Sequence, residues 1–307
     1  MKKYILLLAA FCCIFALDAD AARKKARHVV MIGIDGMSSE GLRETAPEDI
    51  PNMTYLMENG SWTFAKRAVM PSASAINWAS LFNGQPTEMH GFDKWNSTHG
   101  TIPSTSDNGH GIPPTIFTVL REQRPKFEIG LVYDWDGVGA VADTLALDYN
   151  YFIKTYRGKD ILVPTEEYTQ LAVNYIKEKK PDFFTFYYGL LDNTGHRCGW
   201  CSPEYFECQK ELDKGIGLII QALKDAGIFE DTIIIVTSDH GGINKGHGKF
   251  TLEELETPFI VFGKKVKKGF AFPEPMMQYD TAATIAYIFG LDIPGDWRGK
   301  PMTQIFK

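Results

Sequence analysis

The stretch Thr232–Gly242, TIIIVTSDHGG, decides how this chain is read. Its opening run is apolar and β-branched, the composition of a strand buried on both faces of a parallel sheet, and it stops at Ser238-Asp239-His240-Gly241-Gly242. Aspartate and glycine form turns, so the end of a strand accounts for them by itself. Carboxylate and imidazole are also metal-site donors, and in open α/β sheets ligands gather at the carboxyl ends of strands. The rest of the chain must choose between these readings.

Outward from that stretch, apolar runs predict further strands at His28–Ile34 (HVVMIGI), 128–133, 182–188 and 258–262. Helical periodicity falls between them at 74–82, 165–179, 203–226 and 281–289, the last behind Asp280 as candidate N-cap. Such alternation predicts an α/β fold, a three-layer sandwich whose mostly parallel central sheet carries helices on both faces. Residues 93–114, rich in Gly, Ser, Thr, Asn and Pro, read as a long surface loop, a place where function often resides.

At 307 residues, 44% hydrophobic and 23% charged, the composition is that of a globular protein. Lys2 and Lys3, the apolar run from Tyr4 to Leu17 and the small residues to Ala21 read as a secretory signal peptide over 1–21. A single catalytic domain over 22–307 is expected, exported to the periplasm or secreted, with no transmembrane segment in the mature chain. Phe11 before Cys12 argues against lipidation. Cleavage removes two lysines and two aspartates and leaves the net charge at -6, so no stable nucleic-acid complex is expected, whereas a small anionic substrate remains open to a local metal site. In an exported chain a disulfide among Cys198, Cys201 and Cys208 is the leading expectation, with a zinc knuckle that includes His196 as the weaker one.

Three acids follow predicted strands and converge on one sheet edge: Asp35, Asp192 and Asp239. Asp192-Asn-Thr-Gly-His196 spaces a carboxylate and an imidazole for one cation, and His247 sits on a glycine-flanked loop seven residues beyond His240. Singly, each has an ordinary explanation as turn, cap or surface group. Together they supply six nitrogen and oxygen donors, enough for two metal ions at three protein ligands each, with positions left for water or substrate. Met70-Pro-Ser-Ala-Ser74 adds hydroxyls just before a helix, where Ser72 or Ser74 serves either as N-cap or as nucleophile.

The ordered set Ile34-Asp-Gly36, Pro71-Ser-Ala-Ser74 with Asn77, Asp192-Asn-Thr-Gly-His196, Ser238-Asp-His-Gly241 and His247 resembles the alkaline phosphatase superfamily, most closely its type I phosphodiesterase and nucleotide pyrophosphatase branch. The resemblance runs from about residue 28 to Tyr279–Thr284 and Gly290–Pro294, which are similar to the family's closing helix and turn. It implies an alkaline phosphatase-like fold and two divalent cations, with zinc expected. One would be held by Asp35, Asp239 and His240 beside Ser74, the other by Asp192, His196 and His247. Ser74, three residues after Pro71, matches the family's nucleophile ahead of Ser72, and Asn77 matches an amide that donates to a non-bridging phosphoryl oxygen. Where the nucleotide branch often has Lys-Thr-Phe-Pro-Asn-His, this chain has Ala73-Ser-Ala-Ile-Asn-Trp78. Neither serine is followed by the x-Pro-x-Arg that formylglycine formation in sulfatases requires.

The implied activity is hydrolysis of a small phosphate ester through a phosphoserine at a two-metal site, with a phosphodiesterase or nucleotide pyrophosphatase foremost. Alternatives are a phosphomonoesterase, a phosphonate hydrolase, a phosphotransferase acting on lipid or glycan head groups and, last, a non-catalytic binding protein. A monoester site would be expected to add a cation, and Lys66, Arg67 and Lys94 are the candidates to fold back. Trp78, Trp95, Tyr133, Trp135 and Trp200 could stack on a substrate but are expected mainly as core or loop anchors. His90, His99 and His110 read as structural or surface residues.

Overall fold

Alternate residues of strand β1 (His28–Ile34) feed two separate cores, because successive side chains point to opposite faces of a sheet. In the computed structural model, which describes residues 25–307, Val29 and Met31 pack into one core and Val30, Ile32 and Ile34 into the other. The remaining strands of the sheet are β2 (Ser61–Arg67), β3 (Ile129–Tyr133), β4 (Tyr149–Phe152), β5 (Phe183–Tyr188), β6 (Thr232–Thr237), β7 (Glu256–Phe262), β8 (Phe270–Ala271) and β9 (Met276–Met277). Their order across the sheet is β8-β2-β7-β6-β1-β5-β3-β4, with β9 also beside β2.

Among the described residues, the helices of eight residues or more are α1 (Pro51–Glu58), α2 (Ser74–Asn83), α3 (Ile116–Gln123), α4 (Thr165–Lys179), α5 (Leu190–Cys198), α6 (Pro203–Asp225) and α7 (Asp280–Phe289). Residues of α2, α3 and α7 cover the first core, and residues of α1, α4 and α6 cover the second. The expected three-layer arrangement follows. No described helix is long and apolar enough to cross a membrane.

The central strands β1, β5 and β6 are parallel and buried throughout, as their uninterrupted apolar composition requires. The sheet is mixed because β7 runs antiparallel to both β6 and β2. The 238–255 connection returns β7 directly beside β6 without a crossover helix of the βα type, and that connection carries His247. Residues 93–114 do form a loop without regular helix or strand.

The signal-peptide reading of residues 1–21 lies outside the described residues. Other expectations change. Cys198, Cys201 and Cys208 are free thiols, which corrects the expected disulfide: Cys201 is hydrogen-bonded with Ser38 and Cys208 with Thr194, so these two thiols face different partners. Asp280 begins α7 and does not cap it; its carboxylate accepts the backbone N–H of Met277 (2.7 Å) and Lys300 (2.8 Å). Neither Ser72 nor Ser74 caps α2, whose N-cap is Ala73.

Candidate active site

The carboxyl ends of β1, β5 and β6 stand side by side, and each hands on to a candidate site residue. Asp35 follows β1 directly, and Asp239 and His240 come just beyond β6. From β5 the chain turns at Gly189 into α5, which puts Asp192 in its first turn and His196 four residues on, on the same helical face. Gly36 makes the first of these turns possible: its φ is +69°, and a Cβ there would lie 2.9 Å from Asp192 Cβ.

Asp35 and Asp239 each use one carboxylate oxygen for orientation and present the other. Asp35 Oδ2 accepts Trp78 Nε1–H (3.0 Å) and the Tyr187 hydroxyl (2.5 Å), and Asp239 Oδ1 accepts Gly36 N–H (3.1 Å). The opposite oxygens, Asp35 Oδ1 and Asp239 Oδ2, are buried without a hydrogen-bond partner, as is Asp192 Oδ1. Burying an acceptor in this way is costly unless something positive meets it.

The three imidazoles follow the same pattern. Nδ1–H of His240 donates to Gly241 O (2.8 Å), that of His247 to Ser72 O (2.7 Å) and that of His196 to Lys245 O (3.0 Å), which leaves each Nε2 as a bare lone pair. His240 Nε2 lies 3.4 Å from Asp35 Oδ1 and 3.2 Å from Asp239 Oδ2. His196 and His247 Nε2 are both 3.6 Å from Asp192 carboxylate oxygens and only 3.1 Å from each other. Two lone pairs at that separation repel unless a cation joins them. Ligand atoms of Asp35, Asp239 and His240 lie within 4.8 Å of one another, as do those of Asp192, His240 and His247.

Burial pushes the carboxyls of Asp192 and Asp239 well above the usual range, with the Asp35 charge adding to the effect. It pushes the imidazoles of His240 and His247 down, His247 to about 2, helped by the neighbouring His240. A divalent cation here would favour the ionised carboxylates and bind the imidazoles in the unprotonated form that burial already favours. The donor set of imidazole nitrogen and carboxylate oxygen suits zinc.

Ser74, the first residue of α2, lies beside this cluster with its hydroxyl donating to His240 Nε2 (3.1 Å). It lines a cavity of about 780 Å³ together with Asp35, Asp192, His196 and His247. Ser72 is placed otherwise. Fully buried, it accepts Gly248 N–H (3.0 Å) and donates to Lys249 O (2.9 Å), tying the His247 loop to the serine loop.

Asn77 also departs from the role that the resemblance implies. It is fully buried, its amide N–H groups point at the carbonyls of Val69, Pro71 and Ala73 (3.1 to 3.2 Å), and its Oδ1 accepts Val69 N–H (2.7 Å). The side chain therefore shapes the loop before Ser74, and its amide is turned away from the cavity.

Of the three candidate cations, none lines the cavity. Lys66 is fully buried behind Asp239, where it donates to Ser238 O and Gln278 Oε1 (both 2.6 Å), and burial pulls its ammonium down to about 7. Arg67 pairs with Glu256 (3.2 Å), and Lys94 is exposed outside the cavity lining. Lys154, a residue the sequence did not single out, occupies the cavity wall with Trp95, Trp135, Asp136, Tyr156 and Asn193. Trp78, Tyr133 and Trp200 are buried anchors, and Trp200 stands edge-on to His196 at 5.2 Å. His90 is buried against Ser80, His110 pairs with Asp143 and His99 touches Thr98.

The family model for type I phosphodiesterase / nucleotide pyrophosphatase matches residues 29–257. Ectonucleotide pyrophosphatase/phosphodiesterase family member 1 of Mus musculus is 26% identical over 225 residues, which cover 69% of this chain and 24% of that protein. Venom phosphodiesterase CdcPDE of Crotalus durissus collilineatus is 25% identical over 225 residues, covering 69% of this chain and 26% of that protein. The chain thus aligns with about a quarter of the length of these relatives. Among solved structures, an inactive form of murine ectonucleotide pyrophosphatase / phosphodiesterase 5 in complex with AMP superposes with a TM-score of 0.72 at 16% identity, over 92% of this chain and all of that one. A 2-O GAG sulfatase gives 0.70 at 14% identity, over 92% of this chain and 74% of that one. The fold is the alkaline phosphatase-like α/β fold that these structures share.

Proposed function

The chain belongs to the type I phosphodiesterase / nucleotide pyrophosphatase family, and from that premise we propose that it is a metal-dependent phosphodiesterase with Ser74 as nucleophile. One observation carries the proposal: Ser74 lines one cavity with Asp35, Asp192, His196 and His247, and its hydroxyl reaches His240 Nε2 (3.1 Å), which lies 3.2 Å from the partnerless Oδ2 of Asp239. Asp35, Asp239 and His240 would hold one divalent cation next to Ser74, and Asp192, His196 and His247 the other, zinc being the metal that the donors favour. Bound there, such cations would supply Lewis-acid stabilisation of the negative charge that builds up at the phosphoryl group.

The chain's own residues account for the rest. Asn77 and Ser72 fix the loop that presents Ser74. Ser74 Oγ attacks phosphorus and gives up its proton, the bond to the leaving oxygen breaks and that oxygen departs with a proton as the alcohol, and water then cleaves the phosphoserine, its hydroxyl going to phosphorus and its proton to Ser74. A diester is favoured because the cavity, at about 780 Å³, has room beyond a phosphoryl group for a second substituent, and Trp95, Trp135 and Tyr156 give it aromatic walls. Lys154 is the one observation favouring a monoester, as the cation that such a site would add. The leader-like residues 1–21 and relatives named as venom enzymes support an exported location, periplasmic or secreted.

Hydrolysis of bis-p-nitrophenyl phosphate, p-nitrophenyl phosphate and p-nitrophenyl sulfate, with zinc or with chelator, tests the proposal. The diester should be preferred, zinc should be required, and Ser74→Ala should lower turnover by about a thousandfold or more. Preference for the monoester would make the enzyme a phosphatase; turnover that survives Ser74→Ala would remove the serine from the mechanism.

A further inference from the structure

Asp134 follows β3 and is 3% exposed, yet it belongs to no part of the cation cluster. Its carboxylate joins two elements that shape the cavity. Oδ1 accepts the N–H of Gly189 (2.8 Å), the N-cap of α5, the helix that carries Asp192 and His196. Oδ2 accepts the hydroxyl of buried Thr155 (2.6 Å).

Thr155 in turn anchors a small hairpin. Its carbonyl accepts the N–H groups of Leu162 (2.8 Å) and Val163 (3.1 Å), closing a loop in which Tyr156 pairs with Ile161. The residues on either side of Thr155, Lys154 and Tyr156, form the cavity wall. Tyr156 also sits tightly over the start of α5: a Cβ on Gly189 would stand 2.5 Å from the Tyr156 hydroxyl, so glycine is what allows that approach.

We propose that Asp134 is a positioning residue that sets substrate specificity, clamping the Lys154–Tyr156 wall to the ligand-bearing helix so that the wall meets the second ester substituent. The proposal deepens the phosphodiesterase reading and rests on it. A carboxylate suits the clamp because both partners are donors and both of its oxygens accept. In Asp134→Asn an amide N–H group must face one of those donors, which breaks one link. Thr155→Val leaves Oδ2 unpaired, and Thr155→Ser restores the hydroxyl.

Two diesters with the same leaving group test the clamp, bis-p-nitrophenyl phosphate with a bulky second substituent and methyl p-nitrophenyl phosphate with a small one. Asp134→Asn and Thr155→Val should raise KM for the bulky diester by about tenfold and leave the methyl diester unchanged, with Thr155→Ser close to the parent enzyme. Equal losses on both substrates, or no loss on either, would overturn the specificity role. Hydrogen exchange over residues 150–163 reads the clamp without catalysis: faster exchange is expected in Asp134→Asn and Thr155→Val, and unchanged protection overturns the clamp whatever the kinetics. Failure of the parent enzyme to turn over either diester would instead overturn the diesterase reading, and the specificity role with it.

Discussion

A buried histidine shows how single residues tie this fold to pH. His90 accepts Phe92 N–H at Nδ1 (3.1 Å) and so carries its own proton on Nε2, which donates to Ser80 Oγ (2.9 Å). Burial pulls the imidazole down from 6.5 to about 3. Protonation would require a second N–H where the Phe92 N–H already points. The depressed native value means that the unfolded chain binds the proton first as pH falls, so stability is fully present above about pH 6.5 and declines toward pH 3. The span corresponds to an upper bound on the order of 5 kcal/mol. Urea unfolding in chelator at pH 7 and pH 4.5 should therefore show a smaller loss between the two for His90→Gln than for the parent protein. Parallel losses would show that His90 does not carry this part of the acid sensitivity. Single atoms also orient the candidate cation site: Trp78 and Tyr187 occupy one oxygen of Asp35 and thereby aim the other.

Between elements, close approach does the positioning. Gly33 in β1 lies against the Trp78 ring of α2, and a Cβ there would come within 2.4 Å of it. Gly33→Ala must push Trp78 away and disturb its bond to Asp35. The expected outcome is a loss of about 1–3 kcal/mol in stability, read by urea unfolding, together with zinc affinity about tenfold weaker or more, read by chelator competition. A stability loss with zinc affinity intact would show that Trp78 does not orient Asp35. These contacts also mark what could be read from the sequence. Strands β1, β5 and β6 were legible almost to their ends because burial on both faces leaves an uninterrupted apolar run. Strand β2 was not: SWTFAKR carries a lysine and an arginine, and nothing local shows that Lys66 would be buried with the Ser238 carbonyl and Gln278 as its partners. Strand β4 lies at the sheet edge with most of its residues exposed and has no such pattern.

For the molecule as a whole, the sheet is the device that turns residues scattered from 35 to 247 into one site. Parallel neighbours β1, β5 and β6 end on the same edge, so their following residues meet without any long excursion of the chain. The six candidate donors could be named from the sequence because each carries its own chemistry and follows a recognisable strand or loop. Lys154, Tyr187 and Asp134 were not, since their placement around the site exists only once β3, β5 and the 154–163 hairpin are brought together. Asn77 misled for the same reason: an amide in the right place in sequence is used up by the carbonyls around it in space. If this edge holds two cations beside Ser74, as proposed, a zinc-soaked crystal with an anomalous difference map shows them. Two peaks are predicted, each at about 2.0–2.2 Å from its donors, one at Asp35, Asp239 and His240 and one at Asp192, His196 and His247. A single peak, or zinc bound away from these residues, would rule out the two-cation site.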